Sequence, residues 1–261
     1  MLKKDPFEGY VKPGRMFGNL YFVGTRPAST HVIDTGDGYI LIDPAHQESL
    51  FLVLHNMWTL GLDPRKIKKI LVSHAHHDHS DALNALVKLT GATTYLGHLD
   101  LPRARGEAGI HPIIPFEPDV LLHDGDTVSL GNTTVEVRET PGHTPGTISF
   151  FFNVTDGTRT LRAGMHGGVG INTLNSEYLI KAGEPFTRRD QYFASLEKLR
   201  AEHVDIHVGN HVGNNDTIGK LKALDGGALE NPFIDSTAWG RFLDKCRDKL
   251  IALIESEKEA E

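Results

Sequence analysis

The sequence predicts an α+β fold, with mixed β-sheets at its centre and helices packed outside them. Three observations carry this. Most strand signals fall in two blocks, one in the N-terminal third and one from Val120 to Val154. Helical patterns fall between and after those blocks and end in a strongly amphipathic segment, Ser236 to Glu255. There is no regular βαβ alternation, no repeat of roughly 20–50 residues and no low-complexity linker, so residues 1–261 read as a single domain.

Each element has its own signal. Asn19–Val23 reads as a strand, and Thr30–Asp34 and Tyr39–Ile42 read as strands flanking the turn Gly36-Asp37-Gly38. Ser49–Leu60 carries apolar residues at helical spacing and stops at Gly61. Asp63-Pro64 pairs a capping carboxylate with proline at the first helical position, which starts one short turn. Ile70–Val72 is a compact apolar strand. Ser80–Thr90 reads as one helix, with Leu83, Leu86 and Leu89 in a stripe and Gly91 at its end. Thr93–Leu96 reads as a strand, and 99–118, with four prolines, as an irregular loop placed to cover a site. Thr127–Leu130 and Val135–Arg138 alternate polar and apolar residues, and Asp156-Gly157 marks a further hairpin. Asp190–Ala201 is an amphipathic helix and Val204–Val208 a strand. In the last helix Trp239, Phe242, Leu243, Cys246, Leu250 and Leu253 share one face, so Cys246 reads as a buried, inert thiol.

Composition excludes several classes. With 23% charged and 39% hydrophobic residues the chain is neither disordered nor a membrane bundle. A net charge of −7 argues against nucleic acid as a partner. One cysteine excludes an intrachain disulfide and a cysteine-built zinc site. The densest apolar run, Leu50–Leu54, is far short of the ~20 residues of a membrane span, so no membrane association is expected. Lys3 and Lys4 are followed by Asp5, Pro6 and Glu8 rather than by an apolar stretch. As written, the chain is therefore expected to be cytoplasmic, although a chain trimmed of its leader would read the same. No protein partner is evident, and a small-molecule substrate is expected.

The unusual number is 15 histidines. Residues 73–80 read Ser-His-Ala-His-His-Asp-His-Ser, so His74, His76, Asp78 and His79 form the pattern HxHxDH between an apolar strand and a helix. An extended stretch puts i and i+2 on one side, so His74 and His76 can grip one ion. The turn into the helix lets Asp78 and His79 face a second. Imidazoles with one carboxylate suit zinc. Such a cluster has no structural rationale: protonated imidazoles repel, and buried ones need partners. Two further histidines sit in tight turns, His143 in Pro141-Gly142-His143-Thr144-Pro145-Gly146 and His211 in Gly209-Asn210-His211-Val212-Gly213. Taken alone, each reads more readily as a surface residue.

HxHxDH with a downstream turn histidine and a late one resembles the metallo-β-lactamase superfamily. Gly18–Thr25, the Asn231-Pro232-Phe233-Ile234-Asp235 entry to the last helix and His211-Val212-Gly213 are similar to the third subclass of class B β-lactamases. The resemblance implies a four-layer αββα sandwich with the metal site along one edge of the two sheets. It implies two Zn2+ ions per chain, the first held by His74, His76 and His143, the second by Asp78, His79 and His211. It makes Asp43 an acidic residue that orients a ligand histidine; the alternative is a turn cap before Pro44.

The chain also departs from the family. Where many members carry a metal-bridging aspartate, this chain has Met165, followed by His166, Gly167 and Gly168 in place of the serines of the third subclass. Asp81 replaces the glycine expected after Ser80. His166 reads first as a local polar contact, with metal ligation as the alternative. His31, His46 and His77 are candidates to line the site.

The expected activity is that of a dinuclear zinc hydrolase. Paired zinc ions lower the pKa of a shared water toward ~7, and the resulting metal-bound hydroxide attacks a carbonyl, with Asp78 as the catalytic residue that orients it. The expected substrate is a β-lactam or related cyclic amide, the chemistry of antibiotic resistance. The alternatives are lactone or thioester hydrolysis and a di-iron oxidoreductase.

Overall fold

In a computed structural model, which describes residues 7–259, twelve strands form two sheets. Lys3, Lys4, Asp5 and Pro6, read above for targeting, lie outside the described residues. The first sheet takes β1 (Gly14–Phe17), β2 (Leu20–Phe22), β3 (His31–Asp34), β4 (Tyr39–Ile42), β5 (Ile67–Val72), β6 (Thr93–Gly97) and β7 (Val120–Leu122), adjacent in that order. β1 to β4 pair antiparallel and β4 to β7 parallel. The parallel half needs crossovers. α1 (Leu50–Thr59) supplies the first, and α2 (His77–Ser80) with α3 (Leu83–Thr90) the second. The third contains the single turn α4 (Leu101–Ala104).

The second sheet runs β12-β11-β10-β9-β8, from β8 (Thr127–Leu130), β9 (Thr133–Glu139), β10 (Ile148–Thr155), β11 (Thr160–Met165) and β12 (Ile206–His207). The remaining helices are α5 (Ser176–Ala182), α6 (Thr187–Arg200), α7 (Thr217–Asp225) and α8 (Ala238–Lys258).

Side-chain alternation builds the layers. Ile40 and Ile42 face the second sheet and meet Phe150, Phe152, Val135 and Val137, while Tyr39 and Leu41 face outward against Val53, Met57 and Leu86 of α1 and α3. Phe151, between its two inward neighbours, faces outward against Leu196, Trp239 and Leu243 of α6 and α8. Three apolar cores thus separate helix, sheet, sheet and helix, the αββα order. Burying a Phe, Leu or Ile side chain contributes about 1.5–3 kcal/mol, so these cores are the main source of the cohesion between the layers.

Three segments differ from the sequence reading. The helix expected over Ser80–Thr90 breaks at Asp81-Ala82, where the Ala82 amide bonds Ala45 O at 3.1 Å and the Asp81 carboxylate takes the Ile114 amide at 2.9 Å. The strand expected over Val204–Val208 is trimmed to Ile206–His207. The 99–118 segment is not wholly irregular: a 3-10 turn, His98–Asp100, leads into α4. Cys246 is buried against Tyr192, and burial pushes its thiol up to about 11. Among the described residues no helix is long and apolar enough to cross a membrane.

Candidate metal centre

Six predicted site residues converge where the two sheets meet. β5 ends at Val72, and the Ser73 carbonyl accepts the Ile148 amide of β10 at 2.9 Å, so the histidine motif leaves the strand at the seam between the sheets. His74, His76 and His143 form one group and Asp78, His79 and His211 a second, each with donor atoms within 4.8 Å of one another. His76 Nδ1 lies 3.0 Å from His143 Nε2. His79 Nε2 lies 3.3 Å from His211 Nε2 and 3.3 Å from Asp78 Oδ2. The His74 and His79 rings, 4.4 Å apart between centroids, join the two groups into one centre.

Neighbouring oxygens fix which nitrogen faces inward. A carbonyl only accepts, so His143 Nδ1 donates to Gly170 O at 2.7 Å and His211 Nδ1 donates to Pro27 O at 2.6 Å. His79 Nδ1 donates to Asp43 Oδ2 at 2.9 Å. In His143 and His211, Nε2 is left with its lone pair toward the centre; His79, between Asp43 and Asp78, carries a proton on each nitrogen, and an ion bound there displaces the one on Nε2. Asp43 also takes the Ser73 amide and hydroxyl, at 2.7 and 2.8 Å, and sits at φ +57°, a backbone conformation that aspartate tolerates better than most residues.

A further layer was not visible in the sequence. Asp100 is fully buried and accepts from Ala75 N, Thr144 Oγ1 and Gly146 N, each at 2.8 Å. It thereby ties the first histidine segment to the turn carrying His143. Thr173 Oγ1 donates to His143 O at 2.7 Å, and the buried Arg188 bonds the carbonyls of Gly142 and His143. A Cβ on Gly168 would lie 2.9 Å from His143 Cβ, and one on Gly170 2.9 Å from His143 Cε1, so these glycines form the wall against which that ring is pressed. The glycine-rich run 167–170 was the only local signal of this. A lone aspartate such as Asp100 carries none.

Met165 points into the core between the sheets, and no carboxylate is presented from that position. His166 is buried beside Ser149 and Tyr192 and belongs to neither donor group. His31 donates Nε2 to Gly209 O at 2.9 Å and so braces the loop before His211. His46 and His77 lie ring to ring at 5.0 Å. The 99–118 loop brings His111 within 6.0 Å of the His76 ring, stacked on Tyr178.

The electrostatics suit a cation. Burial holds His74 and His76 well below the ordinary imidazole range and His143 at about 3, so all three are neutral at pH 7. Burial acts to raise Asp78, but His79, His74 and His211 hold it well below the usual carboxylate range. His79 is likewise desolvated, yet Asp78 and Asp43 push it up to about 10. The Nε2 atoms of His74 and His76 are buried without a hydrogen-bond partner. Neutral imidazoles with unpartnered buried nitrogens are costly unless a ligand meets them, and five imidazoles with one carboxylate suit zinc. The residues therefore fit the metal that the sequence implied.

Comparison with known proteins agrees. Residues 23–201 match the family described as "Metallo-beta-lactamase superfamily". BJP-1, a subclass B3 metallo-beta-lactamase of Bradyrhizobium japonicum, superposes with a TM-score of 0.86 at 26% identity over 98% of both chains. The FEZ-1 metallo-beta-lactamase of Legionella gormanii gives 0.87 at 26% identity over 96% of this chain and 98% of its own. Among curated relatives, a hydroxyacylglutathione hydrolase of Hahella chejuensis is 32% identical over 67% of this chain, but the match spans only 56% of that protein. A second, from Shewanella halifaxensis, is 29% identical over 54% of this chain, and the match spans 46% of that protein.

Proposed function

The chain belongs to the metallo-beta-lactamase superfamily, and from that premise we propose that it is a dinuclear zinc hydrolase that opens a β-lactam or a related cyclic amide. The observation that carries this reading is the presence of two three-residue donor groups side by side in one centre, joined through His79 and His74. His74, His76 and His143 would hold one ion and Asp78, His79 and His211 the other. Bound there, zinc supplies a Lewis acid that polarises a carbonyl and makes water acidic enough to deprotonate near neutral pH.

The chain's own residues do the rest. Asp78, one-fifth exposed, belongs to the second donor group, and its carboxylate can orient a water beside it. Asp43, Gly170 and Pro27 hold the imidazoles of His79, His143 and His211 in one tautomer and one orientation. His111 and Tyr178 form a stacked aromatic wall beside His76, against which an apolar part of a substrate can rest.

The choice of a cyclic amide rests on the end-to-end likeness to subclass B3 structures and on Met165, which removes the bridging carboxylate expected of the glyoxalase-type members. A second reading, hydrolysis of a thioester or lactone, is supported by the curated relatives named hydroxyacylglutathione hydrolase. One assay separates them. Zinc-replete protein is offered a carbapenem, a penicillin, a simple lactone and a thioester side by side. The proposal expects at least one β-lactam ring to open, with the rate lost on chelation and restored by zinc. Intact β-lactams beside an opened lactone or thioester would replace the first reading with the second. A metal content of iron rather than zinc would favour a redox enzyme.

A further inference from the structure

We propose that His98, His123 and Glu139 form a separate, peripheral site for a divalent transition metal of the zinc class, which clamps the two sheets together. The topology assembles it. β6 and β7 are parallel neighbours, with Gly97 paired to Leu122, so the next residues, His98 and His123, leave the two strands at the same level. Their rings stack at 4.1 Å with an interplanar angle of 29°. Glu139 is the last residue of β9, in the other sheet. The turn after β7 is bonded to β9 through Gly125 N to Val137 O at 3.0 Å, Val137 N to Asp126 O at 2.9 Å and Glu139 N to Asp124 Oδ1 at 2.9 Å. These bonds bring Glu139 across to the two histidines.

The three donors lie within 4.8 Å of one another. Ligand atoms around a tetrahedral zinc ion stand roughly 3.3–3.6 Å apart, given bonds of about 2.0–2.2 Å. A closure of about 1 Å therefore completes the set, within reach of side chains that keep some freedom. His98 and Glu139 each remain about 30% exposed, which leaves that freedom and an open coordination position for water.

One detail argues for an ion over a plain ion pair. His98 Nδ1 stands 3.1 Å from Glu139 Oε1, yet it is buried and makes no hydrogen bond, because the contact lies off the bonding angle. An imidazolium paired with the carboxylate would point its N–H at the oxygen. The observed arrangement has a nitrogen and an oxygen side by side, as two ligands of a shared ion are. Two imidazoles and one carboxylate are also a common three-residue set for zinc.

The site shares no residue with the His74–His211 centre, but it touches the same framework. His98 lies two residues before Asp100, and Glu139 four before His143. An ion there would brace the segment that carries Asp100 against the strand that leads into the His143 turn.

The test uses the full chain already loaded with zinc at the principal centre. Wild type, His123→Ala and Glu139→Gln are dialysed against rising zinc and their content measured. Wild type is expected to take up one more equivalent than either variant, and its melting midpoint to rise with that uptake. The variants are expected to keep the metal of the principal centre and to lack the rise, since His123 is exposed and Glu139→Gln preserves shape. Equal zinc uptake and equal thermal response in all three proteins would overturn the proposal.

Discussion

Asp43 reaches His79 across the parallel pair β4–β5, its Oδ2 2.9 Å from His79 Nδ1, with both side chains buried. The same carboxylate holds the backbone of Ser73, so one residue sets both the start of the histidine segment and the aim of a donor in it. Second-layer partners of metal-binding histidines contribute about ten- to hundred-fold in metal affinity. Asp43→Asn keeps the shape and tolerates the positive φ, but it removes the charge and weakens the acceptor. It is expected to lower zinc retention against a chelator by about that factor at the Asp78–His79–His211 group. Chelator competition with metal analysis measures this, and unchanged retention in a folded variant would exclude the role.

The glycines beside His143 give a second prediction. Gly170→Ala places a methyl 2.5 Å from Asn172 Oδ1 and 2.9 Å from His143 Cε1, both closer than real side chains approach, so the Asn172 side chain and the ring must both give way. Overpacking of this kind costs about 1–3 kcal/mol in stability. The displaced ring is also expected to lower turnover at least tenfold, about the effect of a small misplacement at a reacting centre. Thermal melting and kcat, measured together, check both halves. A variant with native turnover would show that His143 is not held by this wall.

Acid stability supplies a third. Burial holds His207 and His166 at about 3, far below the usual imidazole value near 6.5, and the Nε2 of each is buried without a partner. The unfolded chain binds a proton at each site below pH ~6.5, while the folded chain resists until about pH 3. Stability from both groups is therefore full above pH ~6.5 and is lost as pH falls through the window below it. His207 packs against Phe242 and Trp239, 4.2 and 5.4 Å between ring centroids, so an apolar replacement fits its surroundings. His207→Leu is expected to narrow the stability difference between pH 7.5 and pH 5 by up to ~2 kcal/mol, from about 1.4 kcal/mol per pH unit. Urea unfolding at the two pH values measures it, and an unchanged difference would contradict the assignment.

These relationships divide by how far along the chain they reach. The strands Tyr39–Ile42 and Thr127–Leu130 and the terminal helix were readable because their apolar period is local. The αββα order and the six-residue donor set came from a resemblance carried by HxHxDH and two turn histidines. β1 was missed because Gly14-Arg15-Met16-Phe17 has no alternation and gains its place only by pairing with β2. α5 was missed although its ends are marked: Asn175 caps it by accepting the Tyr178 amide at 2.8 Å, and Gly183 closes it at φ +65°. α7 is capped by Asp216 in the left-handed region, a conformation that sequence does not announce. Asp100 and the peripheral cluster His98, His123 and Glu139 depend on contacts between distant segments, so no window of sequence contains them.

The last prediction concerns Asp78, the only carboxylate among the six donors. It stands 3.3 Å from His79 Nε2 and 3.8 Å from His211 Nε2, and its neighbours hold it ionised far below neutral pH. Under the proposed function an acceptor in that position would serve the ion and the water alike, so its loss would remove two functions at once. Asp78→Ala is expected to lower turnover on the order of a hundredfold or more, the scale of lost positioning at a reacting centre. Asp78→Asn, which keeps the shape and one oxygen, should fall in the same range and retain more metal than the alanine variant. The fold should survive both, because the three apolar cores lie on Phe150, Leu41, Trp239 and their neighbours and not on the donor groups. Circular dichroism and metal content, taken beside kcat on whichever substrate the side-by-side assay selects, separate loss of chemistry from loss of structure. Near-native rates in either variant would show that orienting the water does not depend on this carboxylate, and an unfolded alanine variant beside a folded, inactive asparagine variant would still leave the carboxylate as the group that turnover requires.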